Sequence, residues 1–245
     1  MIERPDEFRK PAALIVAHGQ PSDPLPAGAE VAFLAAKVQS LMPGWHVRAA
    51  TLAEPGALAR EVAEAGGVGL VYPLFMAGGW FTRTHLPEKL SEAGGENWRV
   101  LPPFGLDGQV QDLAVTVVRE ALIEGGRAAR EATVLVAAHG SFRSPAPAEV
   151  AMAVAGRLQS ELGLAHVPVG FIDQTPRIAD VALALPSDAI VLPFFAARGG
   201  HVIDDLPSAL QEAGYSGRVL PPLGLDARVP GLIRRALRLA AGREV

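Results

Sequence analysis

Short apolar runs alternate along this chain with longer stretches in which apolar residues recur every three or four positions. Four such runs, typical of buried strands, lie in the first half at residues 12–17, 46–53, 68–75 and 99–102. Four stretches with helical spacing lie between and after them, at residues 27–41, 56–65, 86–93 and 108–124. Asp107 is placed to cap the last of these helices. Strands that alternate with helices predict βαβ units and a parallel sheet.

The same pattern starts again after residues 125–131, a polar stretch that we interpret as a linker. VAHGQ returns as VAAHGS, VYPLF as VLPFF and VLPPFGLD as VLPPLGLD, which pairs His18 with His139, Pro73 with Pro193 and Asp107 with Asp226. The chain is therefore a tandem duplication. Residues 1–125 and 131–245 are each predicted to form a Rossmann-like α/β domain with a mainly four-stranded parallel sheet. A pseudo-two-fold axis would relate the domains, and the cleft between them is a natural ligand site.

Composition narrows the class of protein. The 245 residues are 49% hydrophobic and 20% charged, which is enough apolar material for buried cores. The formal net charge of −4 argues against a nucleic-acid binder. The chain has no cysteine, so a metal site must use histidine, carboxylates, backbone or water.

The start of the chain, MIERPDEFRK, lacks the apolar core of a signal peptide. No apolar run approaches the roughly 20 residues that span a bilayer. We therefore expect a cytoplasmic protein with no membrane partner.

Three histidines follow apolar strands directly or after a short turn. His18 and His139 each precede a glycine at a strand end, and His201 follows a pair of glycines after the strand expected at 189–195. Ligands bind at this edge of open α/β sheets, and a neutral imidazole is a good ligand for divalent transition metals. The simpler alternative is a histidine that only hydrogen-bonds within a turn. The presence of the His-Gly pair in both copies weakens this alternative.

Carboxylates and basic residues accompany these histidines. Glu54 and Asp173 end the second strand of each half, where each either completes a His–His–carboxylate site or begins the next helix. Asp205 lies four residues after His201 and either orients its ring or caps a helix, and we favour the cap. Basic residues suited to a polyanionic substrate lie in turns of both halves: Arg83, Lys89, Arg143, Arg177 and Arg198.

The two His-Gly motifs, GGHVIDDLP, the carboxylate within each half and LPPLGLD together resemble the class II chelatases of the sirohydrochlorin cobaltochelatase and ferrochelatase type. The resemblance covers nearly the whole chain, twice. It implies two α/β domains with a tetrapyrrole in the cleft between them. It also implies insertion of a divalent metal, Co²⁺, Fe²⁺ or Ni²⁺, into a tetrapyrrole such as sirohydrochlorin, for cobalamin or sirohaem biosynthesis. The metal is then a substrate, and no nucleotide is needed, since the chain has neither a Walker sequence nor GxGxxG after its first strand.

Residue by residue, the resemblance matches His139 and His201 to the two metal-binding histidines and Asp173 to the acidic position. It therefore implies that His139 and His201 hold the metal and accept the departing pyrrole protons, while Asp173 lends negative charge. Arg143 and Arg198 are expected to bind carboxylates of the ring.

The first half departs from this pattern. His18 and Glu54 match their positions, but Phe81 stands opposite the second metal-binding histidine, and His85 stands opposite Asp205. We therefore expect the C-terminal set to bind the metal. His18, which we expect to be catalytic, forms a second set with Glu54 and His85. This set is either degraded or faces the substrate.

Three alternatives stay open at this point. A non-catalytic homologue would carry metal or tetrapyrrole without accelerating insertion, and a Rossmann-like interaction module would use its histidines structurally. A histidine phosphatase or mutase needs arginine directly before the histidine, where this chain has Ala17 and Ala138. The duplication predicts a monomer that supplies its own cleft, with a homodimer as the alternative.

Overall fold

The computed structural model describes residues 10–21, 23–66 and 68–242, so most of the charged start of the chain lies outside these ranges. The elements of the first half are β1 (Ala12–Ala17), α1 (Pro24–Ser40), β2 (His46–Thr51), α2 (Ala57–Ala65), β3 (Gly69–Pro73), α3 (Leu86–Glu92), β4 (Trp98–Val100) and α4 (Gly108–Glu124). Those of the second half are β5 (Val134–Ala138), α5 (Ala146–Leu162), β6 (Val169–Phe171), α6 (Ile178–Leu183), β7 (Ile190–Pro193), α7 (Leu206–Glu212), β8 (Arg218–Val219) and α8 (Val229–Ala241). Among these helices, none combines the length and the apolar character needed to cross a membrane.

Each half builds one parallel sheet of four strands. The strand orders, β2-β1-β3-β4 and β6-β5-β7-β8, are the same in the two halves. In the first half Ala17 at the end of β1 pairs with Thr51, and in the second Ala138 at the end of β5 pairs with Phe171. The predicted α/β fold with two mainly four-stranded parallel sheets is confirmed, and Asp107 caps α4 as expected by accepting from the N–H of Gln109.

The helices lie in three layers around the two sheets. On the outer faces, Leu14 of β1 packs with α2 and α3, and Leu135 of β5 packs with α6 and α7. The inner faces share one continuous core, in which Ile15 and Val136 meet the long helices α1, α4, α5 and α8. Because both faces are covered, the central strands are apolar at nearly every position, which explains why they were recognisable as short apolar runs.

The last helix of each half crosses to the other half. α4 packs along α5, whereas α8 packs along α1 and β3. At the start of β8, Arg218 donates to the carbonyl of Ala121 near the end of α4 at 3.1 Å. Arg99 in β4 donates in turn to the carbonyl of Ala240 near the end of α8. Residues 1–125 and 131–245 therefore divide the sequence repeats, but each packing unit takes its last helix from the other repeat.

One glycine in each LPP-x-GLD motif supports the loop that leads to the candidate site. A Cβ atom at Gly105 would lie 1.9 Å from the carbonyl oxygen of Met76, and one at Gly224 would lie 1.9 Å from that of Ala196. Any side chain would collide with backbone at these two positions. The close approach holds the loops after β3 and β7 in equivalent places in the two halves.

Candidate active site

The loops after β3 and β7 each pass through a π-helical turn before the next helix begins. These turns span Phe81–His85, which leads into α3, and His201–Asp205, which leads into α7. The sequence analysis expected a helix start near Asp205 but not the extra residue per turn. Such turns occur frequently at functional sites, and here both lie at the carboxyl edge of a sheet.

The two predicted metal-binding histidines come together at this edge of the second sheet. His139 follows β5 directly, and His201 opens the π-helical turn after β7, the strand that pairs with β5. Their ring centroids are 4.2 Å apart, and the ring planes are inclined at 80°. Both side chains are half-buried, so the pair is held by protein on one side and open on the other.

Both imidazole rings are held through Nδ1. In His139 this atom lies 2.9 Å from the carbonyl oxygen of Gly140 and 3.5 Å from Oδ2 of Asp173. In His201 it lies 2.7 Å from Oδ2 of Asp205. An N–H at Nδ1 that donates to oxygen leaves Nε2 with a free lone pair, which is how metal-binding histidines are usually oriented. The arrangement therefore presents two Nε2 atoms as ligands.

The structure corrects our interpretation of Asp205 and refines that of Asp173. The side chain of Asp205 makes no capping hydrogen bond to α7, but it holds the ring of His201. Asp173 does not begin a helix, since α6 starts at Ile178, and its carboxylate lies beside Nδ1 of His139. Within the described ranges no three His, Asp or Glu side chains converge on one metal position. A metal held by two imidazoles would keep open coordination positions.

The first half repeats this backbone with different side chains. His18 follows β1, and Phe81 occupies the position at the start of the π-helical turn that His201 holds in the second half. The rings of His18 and Phe81 meet edge to face with centroids 4.6 Å apart. His85 stands at the position of Asp205, as the sequence alignment predicted, and its ring lies 5.6 Å from that of Phe81.

The register of the first sheet corrects the expected match of Glu54. The N–H of Ala53 donates to the carbonyl of the histidine that ends β1 at 2.9 Å, and the N–H of Asp173 makes the same bond in the second half. Ala53 is therefore the counterpart of Asp173, and Glu54 lies one residue further along. The carboxylate of Glu54 accepts from Nη2 of Arg60 at 3.0 Å. The first half thus lacks both the second histidine and the acidic residue.

Four aromatic rings form a surface in the first half that the sequence analysis missed. This aromatic wall consists of Phe75, Trp80, Phe81 and His85. Trp80 stacks on His85 with centroids 4.6 Å apart and planes 19° from parallel, and Phe75 lies 6.2 Å from Phe81 at 20°. Trp80 is 57% exposed. A large exposed aromatic face suits a flat apolar ligand, and its only sequence signal was the density of aromatic residues in FMAGGWF.

His18 links the two halves electrostatically. Loss of surrounding water lowers the pKa of its imidazole, and the nearby charges of His85 and His139 lower it further. The second of these neighbours belongs to the other half, so the end of β1 faces the end of β5. A histidine with a lowered pKa is neutral at pH 7 and can accept a proton.

The predicted basic residues separate into two groups. Lys89 is engaged by Glu92 at 2.6 Å. The backbone N–H of Arg198 donates to Oε1 of Glu30 in α1 at 2.8 Å, a contact between the halves that the sequence did not indicate. Four exposed guanidinium groups in the site loops have no carboxylate partner in the described part of the chain: Arg83, Arg143, Arg177 and Arg198.

Comparison with known proteins finds a similar family model and similar solved structures. The family model CbiX matches residues 133–240. A solved structure of CbiX, described as the terminal enzyme for biosynthesis of siroheme in denitrifying bacteria, is 47% identical, with 94% of this chain and 99% of that chain covered and a TM-score of 0.86.

Two more distant structures share the fold. SirB from Bacillus subtilis with Fe³⁺ is 16% identical, with 96% of this chain and 98% of that chain covered and a TM-score of 0.75. The sirohydrochlorin chelatase SirB from Bacillus subtilis subspecies spizizenii, in complex with cobalt, is also 16% identical, covers 96% and 97%, and has a TM-score of 0.68. Among curated proteins no match was found.

Proposed function

Because this chain belongs to the CbiX family of class II chelatases, we propose that it inserts a divalent metal ion into a tetrapyrrole of the sirohydrochlorin type. The observation that carries the proposal is the pair His139 and His201, whose rings lie 4.2 Å apart with Nδ1 occupied in both. The description of the 47% identical relative as the terminal enzyme of siroheme biosynthesis supports the tetrapyrrole as substrate.

The metal substrate would bind to the Nε2 atoms of His139 and His201. Gly140, Asp173 and Asp205 supply the oxygen atoms that keep both rings in this orientation and make the imidazoles better donors. Two protein ligands leave room for water and then for the incoming pyrrole nitrogens. Co²⁺, Fe²⁺ and Ni²⁺ all accept imidazole, so the choice among them depends on supply as well as on this site.

The macrocycle would lie against the aromatic wall. Trp80 and His85 already stack on each other, and the exposed part of Trp80 offers a face for a further ring. Arg143 and Arg198 extend from loops of the second half, and their guanidinium groups have no carboxylate partner among the described residues. Their forked guanidinium groups suit the ring carboxylates of such a substrate.

Two pyrrole N–H protons must leave as the metal enters the ring. A lone pair on His139 or His201 that binds the metal cannot accept a proton at the same time. His18 occupies in the first half the position that His139 has in the second. Its pKa is lowered and it has no role in holding the metal, so we assign it as the first proton acceptor. This assignment differs from the expectation that the two metal-binding histidines accept the protons themselves.

The rate of Co²⁺ insertion into sirohydrochlorin, followed by absorbance, tests this function. We expect His139→Ala and His201→Ala to slow insertion by more than about a hundredfold and His18→Ala by about 10²-fold or less. His46→Ala is the matched control, because His46 is exposed at the opposite edge of the first sheet, and it should keep the parent rate.

Other outcomes would select among the alternatives. Stoichiometric metal binding without acceleration by the parent protein would favour a carrier. Equal rates in all four variants would mean that the histidines are structural. Loss of both Co²⁺ insertion and Co²⁺ binding in His18→Ala alone would place the metal site in the first half.

A further inference from the structure

A groove lies between the exchanged helices α4 and α8, and none of its lining residues belongs to the loops that carry the histidines. We call it the arginine groove; it is lined by Gln109, Leu113, Arg234, Arg235, Arg238 and Leu239, among others. Its volume is about 540 Å³. That is within the range of small-molecule sites, roughly 300–1,000 Å³.

Three guanidinium groups in this groove are not neutralised by any described residue. Arg234, Arg235 and Arg238 have no carboxylate within ion-pair distance in the described part of the chain. Arg235 reaches only a neutral acceptor, since the side-chain oxygen of Gln109, in its favourable orientation, lies 3.1 Å from Nε. Asp112 also lines the groove, but its carboxylate is engaged by Arg157 at 2.7 Å.

Two arginines near this groove behave differently. Arg228 is paired with both Asp226 and Glu120, each within 2.8 Å. Arg157 is likewise paired with two carboxylates. Around this groove the unpaired cations are therefore concentrated on one face of α8, although the chain as a whole carries an excess of acidic residues.

This concentration of positive charge destabilises α8. Arg234 and Arg238 are four residues apart, where like charges repel along a helix, and Arg235 is three residues from Arg238. The helix dipole favours a cation only in the last turn, which contains Arg238 but not the other two. An anion bound in the groove would remove the repulsion.

We propose that the arginine groove binds a small molecule that carries several carboxylates. Forked guanidinium groups bind carboxylates through paired hydrogen bonds, and three of them on adjacent turns match several separate carboxylates. Leu113 and Leu239 supply the apolar part of the lining, and Leu239 is 54% exposed. A tetrapyrrole with carboxylate side chains is one source of such a ligand, and a free tricarboxylate is the other.

Isothermal titration calorimetry with citrate tests the groove independently of chelatase activity. We expect saturable binding that weakens as salt increases. The variant Arg234→Gln/Arg235→Gln/Arg238→Gln should bind at least tenfold more weakly, and the triple Lys variant should recover part of the affinity because it restores charge without the fork. The control Lys10→Gln/Lys37→Gln/Arg130→Gln removes three exposed charges elsewhere and should bind like the parent.

Thermal unfolding of the three variants verifies that each is folded. Absence of saturable binding in the parent, or equal affinity in the groove variant, would overturn the proposal. Competition with uroporphyrin then identifies the source. Displacement of citrate from the groove points to a tetrapyrrole, and persistence of citrate points to a free polycarboxylate.

Discussion

The two halves of this molecule have the same strand order, the same π-helical turn and the same strand-end histidine, yet they present different side chains at the carboxyl edges of their sheets. Three matched positions differ, written with the first half first: Ala53 and Asp173, Phe81 and His201, and His85 and Asp205. In the second half these residues build and orient a pair of imidazoles. In the first half Phe81 and His85 build part of the aromatic wall. Under the proposed function, one backbone serves for metal binding in one copy and for ring binding in the other.

Exchanging single residues between the copies tests this division of roles. The largest effect is expected for His201→Phe, which gives the second half the residue of the first. Removing one of two metal ligands should slow Co²⁺ insertion by more than about a hundredfold and weaken Co²⁺ binding at least tenfold. Insertion rates and calorimetric titration with Co²⁺ measure both. Unchanged Co²⁺ affinity would show that His201 is not a ligand.

The reverse exchange should add a function to the first half. Ala53→Asp/Phe81→His/His85→Asp rebuilds the residues that hold and orient the second imidazole, next to the unchanged His18. We expect the number of Co²⁺ ions bound per chain to rise from one to two, because the backbone of the two halves is equivalent. Equilibrium dialysis gives this number directly. Phe81→His alone is the matched control and should bind the second ion more weakly, since its ring lacks an oxygen partner at Nδ1.

Truncation of the wall should give a smaller effect. Trp80→Ala removes an exposed face that we assign to the macrocycle, and aromatic pairs contribute about 0.5–1.5 kcal/mol beyond area burial. We therefore expect KM for the tetrapyrrole to rise by about three- to tenfold with kcat nearly unchanged. Trp80→Phe should keep most of the affinity. A loss confined to kcat would argue against stacking in the ground state.

The smallest expected effect concerns proton affinity. Loss of water and the charges of His85 and His139 lower the pKa of His18 below its usual value of 6.5. His85→Ala removes one repelling charge, so the pKa of His18 should rise towards its usual value while staying below it. Titration of the metal-free protein by NMR measures this shift. Because the unfolded chain binds the proton more readily, the contribution of His18 to stability should decrease as pH falls through 6.5 towards the lower folded-state pKa.

Much of this architecture was predictable from the sequence because strands buried on both faces appear as short apolar runs and because every motif occurs twice. The position of His139 at a strand end, and those of His201 and Phe81 in the loops after strands, follow from those runs. The π-helical turns were missed since one extra residue in a helical turn has no local sequence signature.

Other features depended on three-dimensional contacts. Glu54 was matched with Asp173 by charge, whereas the hydrogen bond to the strand-end histidine selects Ala53. Asp205 was assigned to capping because caps are common at helix starts. Only the structure showed that its carboxylate contacts the ring of His201. The wall around Trp80 brings together residues whose contact depends on the loop conformation.

The exchange of α4 and α8 has a consequence for how such a chain can arise. A single repeat would reproduce this packing as a homodimer whose subunits trade their last helices, and strict two-fold symmetry would then make both strand-end sites identical. Joining the repeats through residues 125–131 removes that constraint, because each copy can now change alone. The covalent link is thus what permits one ancestral surface to become two different ones within a single chain.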